Sequence, residues 1–143
     1  MKKVVAYDED LSNWVCHQIS LLKSKQYDKL DIDNLIEEIE SVGKSQRQAI
    51  ESYFVIIIGH MLKIRCQPEM FSRSWIASVG NSRRRIQKII KDSPSLKREL
   101  PELYRSAWED GLMLAVEDTG MNRHKFPFQC PWSLTAALES PLE

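Results

Sequence analysis

Residues 33–42 read DNLIEEIESV, with three carboxylates, Glu37, Glu38 and Glu40, inside four positions. Carboxylates this dense can build a metal site or an acid/base pair, provided that they converge. On a helix each residue turns about 100°. With Leu35, Ile39 and Val42 set toward a core, Glu37 and Glu40 fall on the opposite or lateral surface and Glu38 on the other flank. A di-iron bundle would also need Glu-x-x-His on inward faces, and none of His17, His60 and His124 has a glutamate three residues before it. The expectation is a solvated face, with Glu40 within reach of Lys44 one turn on and Glu38 at the edge of the apolar stripe.

Arg83 is a more informative charge. With Val79 as the centre of its helix's apolar face, Ile86 and Ile90 lie within about 20° of that centre and Arg83 about 40° away. Arg84, Arg85, Lys88 and Lys91 lie round the back. Arg83 therefore points inward or along the seam, where an unpaired charge costs several kcal/mol. It is expected to pair with a carboxylate. Glu38, Glu40, Glu109 and Asp110 are the candidates, Glu38 and Glu109 the favoured ones, and the bridge would fix helix register. The basic face of Arg84, Arg85, Lys88 and Lys91 could hold phosphates, but no interleaved aromatics suggest base stacking.

His60 lies at the edge of an apolar helix face, two turns before the corner QPEMFSRS, with Trp75 just beyond it. His60, Trp75, Arg73 and Arg83 are the only grouping that suggests a small pocket, although a core histidine beside an aromatic is the commoner outcome. Other enzyme signals are missing. There is no glycine-rich phosphate loop and no GxSxG elbow, and His124 with Cys130 is too few ligands for a metal. No cofactor is expected.

Four helical patterns must position these groups. The first spans 8–24, with Leu11, Trp14, Val15, Ile19 and Leu22 at helical spacing and Asp8 or Asp10 as cap. The second spans 34–66, capped by Asp31 or Asp33, with a stripe from Leu35, Ile36, Ile39 and Val42 through Ile50, Tyr53, Phe54, Ile57 and Met61 to Ile64. Its middle is apolar nearly all round, so it should be the central helix. Gly43 and Gly59 are candidate bends, and Pro68 ends it. The third spans 74–91, with Trp75, Ile76, Val79, Ile86, Ile89 and Ile90 inward. The fourth spans 101–119, with proline at its start and Gly120 as its stop. Leu103, Ala107, Leu114 and Ala115 should face inward, with Tyr104 and Trp108 beside them. An aromatic tail lies over the bundle, and Ser133 caps a short last helix. No segment alternates with period two, so the fold expected for residues 1–143 is all-α: a single-domain helical bundle with a long central second helix.

The totals agree. The chain is 43% hydrophobic and 28% charged, with 20 basic and 20 acidic residues and no net charge. Such a composition folds as a globular domain and argues against a dedicated nucleic-acid binder. Three cysteines without a CxxC pair suggest reduced thiols in the cytoplasm. The apolar start is too short for a signal peptide, and the run at 53–62 has about half the length a membrane span needs.

The blocks YDEDLSNWV, LDIDNLIEEIESVGKS, HMLKIRCQPE, SRSWIASV, RRRI, DSPSLKREL and CPWSL follow one another in this order. Over roughly 7–139 the chain thereby resembles the bacterial "domain of unknown function" family twenty-nine. The resemblance implies a helical fold and no established activity. That family often has glutamine where this chain has Ser82, so nothing is carried over to that position. Without a catalytic constellation, the sequence favours a non-catalytic protein-binding module, in the manner of an immunity or antitoxin protein. Nucleic-acid binding by the third helix and a small enzyme at His60, Trp75 and Arg83 are the alternatives. Apolar residues near the ends of the long helix also invite a homodimer.

Overall fold

The structure, a computed structural model, describes residues 6–142. Among them are five α-helices joined by short 3-10 turns, and no strand. The helices are α1 (Leu11–Lys23), α2 (Ile32–Cys66), α3 (Arg73–Asp92), α4 (Leu100–Thr119) and α5 (Leu134–Glu139). The protein is all-α, with four substantial helices and a short C-terminal one. The chain divides into two compact units, Met1–Lys44 and Ser45–Glu143.

The helix ends follow local chemistry. Asp10 caps α1 by accepting from the amide of Asn13, Ser72 caps α3 from Ser74, and Ser133 caps α5 from Ala136. Each side-chain oxygen satisfies an amide that has no partner inside its helix. Gly120 ends α4 at φ 69°, a left-handed conformation that glycine adopts without steric cost.

In Ser45–Glu143 the core is built on the middle of α2. Ile50, Phe54, Ile57, Ile58 and Leu62 are fully buried, with Val79 and Ile86 of α3 and Tyr104, Ala107, Leu112 and Ala115 of α4. Two glycines permit close approach between α2 and α4. A Cβ on Gly59 would lie 2.5 Å from the Leu114 side chain, and one on Gly111 would lie 2.6 Å from Ile58. Gly59, a candidate bend in the sequence, thus serves packing inside a helix that runs without interruption from Ile32 to Cys66. Gln46 to Ser93 (3.0 Å) and Arg47 to Glu99 (2.7 Å) tie the start of this stretch of α2 to the turn between α3 and α4. Of the tail aromatics, Phe126 is buried and Trp132 half-buried, but Phe128 is almost entirely exposed.

In Met1–Lys44, α1 and the first turns of α2 form a hairpin through Tyr27–Lys29. Trp14 Nε1 donates to the Asp31 carboxylate (3.0 Å), the Asp31 amide donates to Gln18 (2.9 Å), and the Tyr7 hydroxyl donates to Glu38. The pairings run in opposite senses along the two segments, so the helices are antiparallel. The expectation of an inward stripe at the start of α2 fails here, and α1 buries a face that its spacing did not single out. The buried face of α1 is Trp14, Gln18 and Leu21, while Leu11, Val15, Ile19 and Leu22 are exposed. On α2, Leu35 is only half-buried, and Ile36, Ile39 and Val42 are 50%, 69% and 64% exposed. The reason is polar. Asp31 collects donors from Trp14 and Asn34, and this rotates α1 so that its indole and amide face the seam.

Candidate functional site

The sequence-derived groups are placed as follows. Arg83 is half-buried, as its helical position requires, but its partner is not a carboxylate. Its Nε donates to the Ala137 carbonyl (2.9 Å) and an Nη to that of Ala136 (3.4 Å). These carbonyls lie in the last turn of α5, at the negative end of its dipole, and that of Ala136 also accepts from the Ser140 amide. A fork of donors fits them as well as it would fit a carboxylate. Burial pulls the guanidinium below its ordinary pKa, against the opposing charge of Glu139. Of the favoured carboxylates, Glu38 accepts from Tyr7, and Glu109 pairs with Arg123 at 3.0 Å. Arg83 is thus the anchor of the C-terminal helix.

His60 is half-buried, and its Nδ1 is buried without a hydrogen-bond partner. Burial, reinforced by the charge of Lys63, lowers its pKa against the pull of Asp118. Burial thus disfavours the protonated form of the ring. Trp75 does come to this corner, but the cation on it is Lys63, whose Nζ lies 4.9 Å from the indole centroid and 2.9 Å from Asp118. Arg73 is exposed, and Arg83 is bonded to α5. The expected grouping of His60, Trp75, Arg73 and Arg83 is replaced by His60, Lys63, Asp118 and Trp75. Lys63 is only 5% exposed. Its signal in the sequence was a lysine immediately after a run that is apolar all round.

A cleft of about 560 Å³ lies between α4 and the chain that follows it, with Tyr104, Trp108, Phe128 and Cys130 in its walls. Its tyrosine hydroxyl and its two arginines already have partners. The Tyr104 hydroxyl donates to the Trp132 carbonyl (2.9 Å) and lies 3.0 Å from Cys130 Sγ. Burial, then the Cys130 contact, pushes its pKa upward. Arg105 pairs with Glu102 and Arg123 with Glu109. No nucleophile sits beside a free base there. Among the described residues no cluster of three or more His, Cys, Asp or Glu could hold a metal, and no helix is long and apolar enough to cross a membrane.

Two surfaces remain. On α3, Arg84, Arg85, Lys88 and Lys91 are exposed and, among the described residues, in no ion pair. On the hairpin of Met1–Lys44, seven aliphatic residues are 37–69% exposed: Leu11, Val15, Ile19 and Leu22 of α1, and Ile32, Ile36 and Ile39 of α2. On each helix the exposed stripe lies some 60° or more round from the buried one, in the same rotational sense. In an antiparallel pair this places both stripes on one side of the hairpin. They form one apolar face along the seam of two helices. The carboxylates from which the sequence reading began lie beside it. Glu37 and Glu40 are exposed, and Glu38, half-buried, holds the Tyr7 hydroxyl and pushes its pKa up to about 12. The expected pair of Glu40 with Lys44 is not among the ion pairs of the described residues.

A family model described as "Domain of unknown function DUF29" matches residues 6–141. No curated protein and no solved structure matches the chain.

Proposed function

We propose, from the premise that the chain belongs to the DUF29 family, that it is a non-catalytic protein-binding module and that the hairpin of Met1–Lys44 does the binding. One observation carries this reading: the aliphatic face of α1 and the start of α2 faces solvent. A two-helix hairpin with only Trp14, Gln18 and Leu21 fully buried on α1, and with no fully buried residue of its own on α2 before Ile50, has little core. Apolar area left outside such a core is stabilised when another surface covers it. The other corners support the reading by being occupied. The Tyr104 hydroxyl, Arg105 and Arg123 of the cleft have partners, and Lys63 is paired with Asp118.

The test is capture from the native cell by the full chain and by Ile36→Gln/Ile39→Gln. Both positions are exposed, so the variant keeps its fold. A protein retained by the wild type and lost by the variant supports the reading. Equal retention by both excludes this face. A second reading has its own observation, the unpaired basic face of α3. It expects nucleic acid in the capture, released by salt and reduced in Arg84→Ala/Arg85→Ala/Lys88→Ala.

A further inference from the structure

The net charge of zero hides an asymmetry. Among residues 1–44 there are six basic and nine acidic side chains, and among residues 45–143 fourteen and eleven. The acidic excess sits on the hairpin that carries the exposed aliphatic face. Going round α2 from Ile32, Ile36 and Ile39, the next positions are Glu40, Asp33 and Glu37. All three are exposed, and none is in an ion pair among the described residues. The apolar seam thus has an anionic edge.

We infer that the occupant of this face is a basic amphipathic helix of another protein, laid along the seam between α1 and α2. The inference rests on the binding role proposed above and names its partner by chemistry. The seven exposed aliphatic residues amount to roughly 600 Å² of apolar surface, the upper end of what an ordinary monomer shows and most of one partner's share of a standard interface. The seam of two antiparallel helices is a groove for a third, which reads it with apolar residues at i, i+3, i+4 and i+7. The 13 residues of α1 set the length of the footprint at about 20 Å. Lysines or arginines beside the stripe of the incoming helix would meet Asp33, Glu37 and Glu40. A second copy of this chain would bring the same unpaired carboxylates to the contact. It would cover the apolar area but gain like-charge repulsion at the rim, so charge complementarity selects the basic helix.

The experiment titrates the full chain with two model helices of about 18 residues, with leucines at helical spacing. One has lysine at every other position, and its counterpart has glutamate. Sedimentation of the free chain is measured alongside. The leucine–lysine helix is expected to bind, more weakly as salt rises. Its Kd should rise about tenfold or more in Ile36→Gln/Ile39→Gln, and several-fold in Glu37→Gln/Glu40→Gln. The leucine–glutamate helix should not bind. Equal binding of both helices, or no change in either variant, overturns the inference. A dimer that Ile36→Gln/Ile39→Gln separates also overturns it, because a second copy then holds the face, while the binding role stands. A monomer that binds neither helix overturns it as well. If cellular capture is then unchanged in Ile36→Gln/Ile39→Gln, the binding role fails with it.

Discussion

The helix α2 holds two regions written in the same pattern and used in opposite ways. From Ile50 to Lys63 its apolar residues are buried on several sides by α3 and α4. From Ile32 to Val42 they recur at the same spacing, yet Ile36 and Ile39 face solvent. Periodicity records that a face wants covering and says nothing about what covers it. The difference lies in the supply of partners. The later stretch packs with two long helices and makes close glycine contacts, whereas within Met1–Lys44 the earlier one pairs with α1 through the polar anchors at Asp31.

The largest effect expected from this contrast is on stability. Phe54→Ala should cost about 3–5 kcal/mol in urea unfolding, as for a fully buried aromatic, while Ile39→Ala should stay within about 0.5 kcal/mol. Comparable losses would erase the distinction between the two stretches. Next comes Gly111→Ala, whose Cβ would meet Ile58 at 2.6 Å. Overpacking should cost about 1–3 kcal/mol, and a neutral result would mean that α2 and α4 are less closely packed than described.

Arg83→Met should cost about 2 kcal/mol, the range for hydrogen bonds from a charged group, and should free α5. Faster proteolytic cleavage after α4 would report it. A variant as resistant as the wild type would remove Arg83 as the anchor. The smallest effect is that of pH. The His60 pKa is lowered in the folded chain, mainly by burial. The unfolded chain therefore binds the proton more readily, and the stability contribution is full above the unfolded value, about 6.5. It is lost as pH falls from there through the folded value. His60→Gln should flatten the stability profile in that window, and an unchanged profile would show that another group is responsible.

Much of the fold was readable in the sequence because each feature was local. Caps at Asp10 and Ser133, the stop at Gly120 and the all-round apolar run at 53–62 each have short-range causes, and the family blocks agreed with them. The site was less readable. Arg83 was placed correctly on its helix, but its partner was assumed to be a carboxylate. Backbone acceptors are not marked by any residue type, so the carbonyls of Ala136 and Ala137 could not be read in advance. The helical spacing of Leu11, Trp14, Val15, Ile19 and Leu22 does not mark which side of α1 is covered. In the structure Gln18 is buried through its bond to the Asp31 amide, and the aliphatic residues beside it are left outside. The balanced total charge likewise concealed an acidic hairpin.

Site-resolved hydrogen exchange, on the free chain and on the complex captured from the cell, tests most directly whether that hairpin is a docking surface. Amides of α1 and of residues 32–42 should exchange at least about tenfold faster than those of residues 50–63 in the free chain, and should become protected in the complex while the later stretch changes little. Equal protection of both stretches in the free chain, or a complex that leaves α1 and residues 32–42 as fast as before, would contradict it.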